Sequence, residues 1–194
     1  MATVSLLAAD QAADVDVPTL DAGQALYGQV LNTWAAILHS PGLLSTYLPF
    51  LRQVNGPGAL DERVKELVAV RVAILNHCLY TSSHRCTSAR GKGIVDEELT
   101  AVGRGDFTGF GPREQAALDL ATEMTTTVPT MTRPEGAAGV PAGVLRRARE
   151  CFDDRELVEL MMSISMWNAL SRFHRVMDFA LDMPAPPAAI LDLL

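Results

Sequence analysis

The stretch ERVKELVAVRVAILNHCLYTSSHRCTSARGKG, Glu62 to Gly93, decides the fold of this chain. Its first half is apolar on nearly every side when it is placed on a helix, as is typical of a helix buried in a core. Asp61 is a suitable N-cap for this helix, and the pattern extends to about Cys78. The second half predicts another helix, with Ser82 or Ser83 as its N-cap. The two form a central helix-turn-helix core.

Helical periodicity continues on both sides of this core. Upstream, apolar residues recur at helical spacing from Ala25 onward. Downstream, helices are predicted to begin at Asp96 and Pro112, and a long one follows a capping box formed by Asp153 and Glu156. No strand pattern occurs. The predicted fold class is therefore all-α, as one compact helical domain.

A chain of 194 residues is most simply one domain. We expect residues 1–20 to be a flexible arm, 21–182 to form the helical domain and 183–194 to be a proline-rich tail. The apolar end of that tail should pack on its own core or on a neighbouring subunit. The proline- and glycine-rich residues 128–143 are interpreted as a long loop or a lid.

Composition excludes several classes of function. The net charge is −7, which argues against sequence-independent nucleic-acid binding. No apolar run is long enough to span a membrane, and the N-terminus does not resemble a secretory signal. The three cysteines do not form a disulfide framework. We therefore expect a cytoplasmic protein with a small-molecule substrate and without a nucleic-acid or membrane partner.

Chemically active residues cluster in the central stretch. Glu66 and Arg71 lie inside the apolar helix and need partners, either as a structural ion pair or as functional groups. Cys78 is interpreted as a small buried hydrophobe or as a reactive thiol. His77, Cys78 and His84 could supply metal ligands, but their spacing matches no usual zinc pattern. We therefore expect no metal and no cofactor.

The residues ELVAVRVAILNHCLYTSSH…A…G resemble the core of the alkylhydroperoxidase D-like and carboxymuconolactone decarboxylase superfamily. The segments HSPGLLSTYLPFL and MWNALSRFHRV are also similar, so that the resemblance covers roughly residues 25–180. It implies an all-helical domain that assembles into a homo-oligomer, as a dimer, trimer or hexamer. The matching positions are Glu66, Asn76, Cys78, Tyr80, Ala89 and Gly93.

Two residues depart from the peroxidase branch of that superfamily, which carries C-x-x-C-x-x-x-H. The first cysteine corresponds to Cys78. Thr81 occupies the position of the second cysteine, and Arg85 occupies that of the histidine. Because Thr81 cannot form a thiolate, the resemblance does not imply dithiol peroxidase activity.

The decarboxylase-like branch implies acid–base chemistry. By that resemblance His84 supplies the imidazole and Glu66 orients it or acts as the base. Arg71 or Arg85 holds a substrate carboxylate, and Tyr80 donates a hydrogen bond to a developing enolate. The alternative interpretation is that Arg85 and Glu66 form a structural bridge while His84 faces solvent.

Three functions follow from these interpretations. The first is a lyase- or isomerase-like enzyme that performs non-redox acid–base chemistry on a small carboxylate or carbonyl compound. The second is a thiol peroxidase that uses Cys78 without a second cysteine. The third is a catalytically silent, oligomeric ligand-binding protein. Thr81, Trp167 and His174 are further substrate-binding candidates, since Trp167 and His174 share one face of the last long helix.

Overall fold

The computed structural model describes residues 2–127 and 139–194, and within these ranges it contains helices and loops but no strand. The all-α prediction is confirmed. The oligomeric state remains a prediction. The elements are a 3₁₀ turn (Ala9–Gln11) and helices α1 (Val17–Tyr27), α2 (Asn32–Ile37), α3 (Leu43–Asn55), α4 (Glu62–Leu75), α5 (Leu79–Gly91), α6 (Asp96–Arg104), α7 (Pro112–Thr126), α8 (Ala142–Cys151), α9 (Asp154–Met177) and α10 (Ala188–Leu191).

Helix α4 forms the centre of the domain. Every residue from Val64 to Ile74 is buried, because α5, α6, α7 and α9 pack around it. Asp61 caps it as predicted, accepting a hydrogen bond from the backbone N–H of Arg63 at 2.7 Å. The helix ends at Leu75, three residues before the predicted end.

Two of the charged side chains inside α4 have partners on neighbouring elements. Lys65 donates to the Gly56 carbonyl at 2.8 Å and lies 3.0 Å from a carboxylate oxygen of Glu159 on α9. Arg71 donates to the carbonyls of Val102 and Gly103, at 3.0 and 2.9 Å, at the end of α6. Because lone buried charges are costly, these pairings determine the positions at which α6 and α9 pack against α4.

The turn between α4 and α5 differs from the sequence prediction. His77 adopts a left-handed backbone conformation with φ of 49°, and this turns the chain sharply after α4. Helix α5 therefore begins at Leu79, and its N-cap is Cys78 rather than Ser82 or Ser83. A sulfur atom is an uncommon cap, which explains why cap preferences did not identify it.

The N-terminal part of the chain also differs from expectation. The helix predicted from Ala25 is two helices, because Gly28 ends α1 in the left-handed conformation with φ of 73°. Residues expected to form an arm lie against the domain: the Thr3 N–H donates to the Met177 carbonyl at 2.9 Å. Asp16 is fully buried and accepts hydrogen bonds from the backbone at the start of α3.

The C-terminal part follows the predicted pattern more closely. The capping box of Asp153 and Glu156 is present at the start of α9. Ile190 in the proline-rich tail is fully buried, and it packs with Leu193 against α6, so the apolar end of the tail rests on its own core. Of the predicted loop or lid, residues 128–138 lie outside the described residues, and α8 begins at Ala142.

No helix within residues 2–127 and 139–194 has both the length and the apolar character required to cross a membrane.

We predict that Asp16→Ala destabilises the protein. The carboxylate accepts from the backbone N–H groups of Gly42 and Ser45, at 2.7 and 2.8 Å. Its removal leaves two partly buried donors unpaired, at a cost of about 1–3 kcal/mol. Urea unfolding should show this loss. Asp14→Ala is the matched control, because Asp14 is exposed on the same segment. Equal effects of the two variants would show that the two hydrogen bonds to Asp16 do not stabilise the fold.

Candidate functional site

A cavity of about 50 Å³ lies between α5, α9 and the N-terminal helices. This volume has room for a few waters. Residues three and four apart on a helix share one face, and that face of α5 forms one wall. The lining residues are Tyr27, Leu31, Thr33, Trp34, Tyr47, Leu51, Tyr80, Thr81, His84, Arg85, Trp167 and His174.

A chain of hydrogen bonds runs along this wall and begins at Cys78. The Cys78 sulfur lies 3.1 Å from the Thr81 hydroxyl oxygen, which lies 2.9 Å from Nδ1 of His174. Nε2 of His174 lies 3.0 Å from the Thr33 hydroxyl, which donates to the Tyr80 oxygen at 3.1 Å. The interactions therefore join α5, α9 and α2 through side chains alone.

Asp182 ends this chain of hydrogen bonds. It accepts the Tyr80 hydroxyl proton and the backbone N–H of Asn32, the latter at 3.0 Å. Nε2 of His84 lies 3.6 Å from the same carboxylate oxygen. Burial opposes ionisation of Asp182, but the interactions with His84, Tyr80 and Asn32 outweigh it and lower its pKa. Asp182 is therefore held as a carboxylate beside the imidazole.

His174 is buried and neutral. Burial, with a smaller contribution from nearby His84, lowers the pKa of His174 to about 3. Burial and the hydrogen bond to Asp182 raise the pKa of Tyr80 well above its ordinary value. Neither side chain is suited to lose or gain a proton as an isolated group at neutral pH. Both instead act as linked donors and acceptors.

Arg85 presents a cation to the other side of the cavity. Its guanidinium stacks 4.4 Å from the ring centroid of Trp167, and Nη1 lies 3.4 Å from Glu66. Glu66 is fully buried and also accepts from Ser88 at 2.8 Å and faces Lys92 at 3.3 Å. The predicted structural bridge between Arg85 and Glu66 is therefore present, and Glu66 lies behind Arg85, away from the cavity lining.

Three buried nitrogen atoms around the cavity lack a hydrogen-bond partner within residues 2–127 and 139–194. They are Nε2 of His84, Nε of Arg85 and Nε1 of Trp167. Buried polar atoms are usually satisfied, so that three exceptions around one cavity require an explanation. The nitrogens of Arg85 and Trp167 are donors only, so the site is complementary to an acceptor such as a carboxylate or carbonyl oxygen.

The structure brings together six of the residues singled out from the sequence. Tyr80, Thr81, His84, Arg85, Trp167 and His174 all line the cavity. Three others lie elsewhere. Cys78 is buried behind Thr81, Glu66 lies behind Arg85, and the guanidinium of Arg71 is bound by α6 carbonyls and by Thr122 at 3.0 Å. The Tyr80 hydroxyl already donates to Asp182, so it is not free to donate to a substrate.

Other residues of the site were not anticipated. Asp182 lies 102 positions from Tyr80 along the chain, and Thr33 lies 141 positions from His174. No local pattern marks either residue. Within the described residues, His77, Cys78 and His84 do not belong to any group of three side chains placed to hold a metal ion.

The carboxymuconolactone decarboxylase family model matches residues 41–123, a segment that includes Glu66, Cys78 and Arg85. Over that segment the chain is similar to the carboxymuconolactone decarboxylase family, as the sequence resemblance implied. It is 29% identical over 119 residues to the uncharacterized protein YdfG of Bacillus subtilis (strain 168), an overlap that covers 58% of this chain and 74% of YdfG.

Several solved structures have the same fold as this chain. A peroxidase-related protein from Ralstonia eutropha with an alkylhydroperoxidase AhpD core superposes with a TM-score of 0.76 at 16% identity, over 98% of this chain and 95% of that one. The debrominase Bmp8 superposes with a TM-score of 0.78 at 17% identity, over 99% and 98% of the two chains. At these identities the likeness shows the fold alone.

We predict that Glu66→Gln destabilises the protein by about 3–5 kcal/mol, because it leaves buried Arg85 without a counter-charge. Glu62→Gln is the matched control: Glu62 also pairs with Lys92, at 2.9 Å, but is far more exposed. Its loss should cost less than about 1 kcal/mol. Denaturant unfolding measures both, and a Glu66→Gln variant as stable as Glu62→Gln would show that the buried pair does not hold Arg85.

Protonation of His174 should account for part of the loss of folding stability at acidic pH. In the unfolded chain a histidine takes up a proton below about pH 6.5, whereas His174 in the folded protein does not do so until about pH 3. Its contribution therefore makes stability fall with decreasing pH between these values, by about 2 kcal/mol from pH 6.5 to 5.

Urea unfolding at pH 7 and pH 5 tests this pH dependence. His174→Gln should lose that part of the dependence, whereas His39→Gln, at an exposed site, should retain it. If wild type and His174→Gln lose the same stability between the two pH values, His174 is not buried in its neutral form.

Proposed function

We propose that this protein is an enzyme that performs non-redox acid–base chemistry on a small, planar carboxylate or carbonyl compound. The observation that carries the proposal is the trio of unpartnered nitrogens, on His84, Arg85 and Trp167, around one small cavity. Two are obligate donors suited to a substrate oxygen, and the third belongs to an imidazole, whose ring nitrogens can donate or accept a proton.

Each group in the site has a distinct part in this proposal. Nε of Arg85 and Nε1 of Trp167 bind a carboxylate or carbonyl oxygen of the substrate. His84 transfers a proton to or from an adjacent carbon. Asp182 lies 3.6 Å from Nε2 of His84, too far for a hydrogen bond, and its negative charge favours the imidazolium formed during proton transfer. Tyr80 holds Asp182 in turn. In decarboxylation, His84 protonates the carbon, the carbon–carboxylate bond breaks and carbon dioxide leaves.

In this proposal the carboxylate that assists the imidazole of His84 is not the one predicted from the sequence. The sequence suggested Glu66 beside His84, but Glu66 is neutralised by Arg85 and Lys92 behind the cavity wall. Asp182 is the carboxylate near His84. We therefore assign Glu66 to holding Arg85 and Asp182 to supporting the proton carrier.

The aromatic side chains that line the cavity favour a planar substrate. Tyr27, Trp34, Tyr47 and Trp167 line the cavity, and flat side chains favour stacking with a flat ring. A cysteine-to-alanine variant of the debrominase Bmp8, in complex with 2,3,4-tribromopyrrole, superposes on the whole of this chain with a TM-score of 0.78. We therefore choose a five-membered ring as the probe, and its binding requires the side chains around the 50 Å³ cavity to move apart.

We predict that pyrrole-2-carboxylate binds and that Arg85→Met weakens its binding at least tenfold. Both tryptophans of the chain line the cavity, so intrinsic fluorescence reports binding directly. Arg90→Met is the control, since Arg90 lies on the same helix but pairs with Asp96 at the surface. Carbon dioxide release from the same probe should fall about 10²–10⁴-fold in His84→Ala and Asp182→Asn, the usual contribution of a positioned proton carrier.

Neutral pyrrole separates the carboxylate contact from simple stacking. Arg85→Met should affect pyrrole binding less than twofold. Equal weakening of both compounds would show that Arg85 does not bind the carboxylate. If pyrrole-2-carboxylate, benzoate and 2-furoate all fail to change the fluorescence at millimolar concentration, the proposed substrate class is wrong.

A thiol-based reaction is the second candidate, and the position of Cys78 favours it. Cys78 caps α5, where the helix N-terminus stabilises a thiolate, and its sulfur accepts from the Thr81 N–H at 3.4 Å. The two candidates predict opposite results for Cys78→Ser. The variant keeps most of the carbon dioxide release if the chemistry is acid–base, and it loses all hydroperoxide turnover if the thiol is the reactive group.

A further inference from the structure

Tyr47 lines the cavity but takes no part in the chain of hydrogen bonds along its wall. Its hydroxyl makes no hydrogen bond to any group within residues 2–127 and 139–194. The other two tyrosines differ from it. The Tyr80 hydroxyl donates to Asp182, and Tyr27 is 43% exposed, so its hydroxyl has access to water. Polar groups withdrawn from water are usually satisfied, so the unused hydroxyl of Tyr47 requires an explanation.

Helix α3 holds Tyr47 at the cavity. Asp16 accepts two backbone hydrogen bonds at the start of this helix, which fixes its position. Leu44 and Leu48, on either side of Tyr47 in the sequence, are 0 and 2% exposed, so the helix cannot rotate without exposing them. Residues four apart share one helix face, and Tyr47 and Leu51 both line the cavity. A fixed element therefore presents the phenol to the cavity.

Arg85 is a charged neighbour of this phenol. Burial raises the pKa of Tyr47 well above its ordinary value, and the positive charge of Arg85 lowers it by a smaller amount. Tyr47 therefore remains protonated at neutral pH. Its hydroxyl can donate a hydrogen bond beside the guanidinium group of Arg85.

Three donors without a partner among the described residues lie around this part of the cavity. Nε of Arg85 comes from α5, Nε1 of Trp167 from α9 and the Tyr47 hydroxyl from α3. The guanidinium of Arg85 stacks 4.4 Å from the Trp167 ring centroid, and its charge acts on Tyr47. The three donors therefore surround one region from three different helices.

The number of donors discriminates between acceptors. A neutral carbonyl group has one oxygen with two lone pairs, which the two nitrogen donors can occupy. An ionised carboxylate has two oxygens that accept about four hydrogen bonds, and its negative charge strengthens each of them. A carboxylate can therefore use a third donor, whereas a carbonyl compound leaves it without a partner. Because an unpaired donor that is withdrawn from water costs free energy, the third donor favours the carboxylate.

We propose that Tyr47 is a specificity-determining residue that completes a carboxylate subsite with Arg85 and Trp167, so that the cavity selects a carboxylate over a neutral carbonyl compound. Tyr47 donates a hydrogen bond to a carboxylate oxygen and keeps its proton. This inference rests on the proposed function in placing the substrate in this cavity. It decides between the two substrate classes that the proposed function leaves open.

Pyrrole-2-carboxylate and pyrrole-2-carboxamide test the selection, because they share a ring and a shape but only the first is a carboxylate. Tyr47→Phe keeps the aromatic ring and removes the hydroxyl. Binding of the carboxylate, measured by tryptophan fluorescence, should weaken at least tenfold in this variant, since hydrogen bonds to charged acceptors are strong. Binding of the amide should change less than twofold, because the two nitrogen donors already serve its oxygen.

Thr46→Val is the matched control. It removes a hydroxyl from the adjacent residue of α3, which is exposed and donates to the Gly42 carbonyl at 3.0 Å. The variant should change the binding of neither compound. Equal weakening of both compounds in Tyr47→Phe would overturn the proposal, because Tyr47 would then contribute packing instead of a hydrogen bond to the carboxylate.

Formate and formamide extend the test to compounds that need less room than a ring in the 50 Å³ cavity. Formate should displace pyrrole-2-carboxylate from the wild-type protein, whereas formamide at the same concentration should not. In Tyr47→Phe, displacement should require at least tenfold more formate. Failure of both formate and pyrrole-2-carboxylate to bind the wild-type protein would also overturn the proposal.

The outcomes separate this inference from the acid–base proposal. Carboxylate-selective binding that depends on Tyr47, without carbon dioxide release, would support the subsite and reject the proposed catalysis. Carbon dioxide release that depends on His84, with a carboxylate preference unchanged in Tyr47→Phe, would support the catalysis and reject the role of Tyr47.

Discussion

The burial of the central part of α4, from Val64 to Ile74, is the constraint on which the rest of the structure depends. This part of the helix carries the charged residues Lys65, Glu66 and Arg71. A buried charge without a partner is far more costly than one buried pair is favourable, so each charge requires a group from another element. Lys65 requires Glu159 of α9, Glu66 requires Arg85 of α5, and Arg71 requires the carbonyls that end α6. The arrangement of helices around α4 satisfies these three requirements together.

The pairing of Glu66 also shapes the site. Arg85 is drawn towards Glu66 through Nη1, and its flat face rests on Trp167, which leaves Nε without a partner beside the cavity. In the peroxidase branch a histidine stands at this position. An arginine there supplies a fixed cation and planar donors but cannot exchange a proton. Under the proposed function, proton transfer is therefore assigned to the neighbouring residue, His84, and substrate binding to position 85.

Much of this fold was predictable because helical periodicity and caps are local signals. Asp61, Pro112 and the Asp153–Glu156 capping box each mark a helix start that the structure confirms. The start of α5 was not predictable in this way, since it depends on a left-handed His77 and a sulfur cap. The site was predictable only in part. Residues of α5 and α9 fall on faces that periodicity reveals, whereas Asp182 acquires its role from contacts across the whole domain.

Asp182 also explains why the segment after α9 is part of the site. Its carboxylate accepts the backbone N–H of Asn32, at the start of α2, and the hydroxyl of Tyr80, on α5. The preceding carbonyl of Ala180 accepts from the Asn32 side chain at 3.0 Å, and Ser83 donates to the carbonyls of Met183 and Pro184 that follow. The backbone on both sides of Asp182 is thus anchored to α2 and α5. An ionised carboxylate held in this way fixes the direction of the adjoining hydrogen bonds, because it can only accept. Tyr80 therefore donates to Asp182, Thr33 donates to Tyr80, and His174 must donate to Thr33 from Nε2. The one charge on Asp182 thus determines which ring nitrogen of neutral His174 carries the proton.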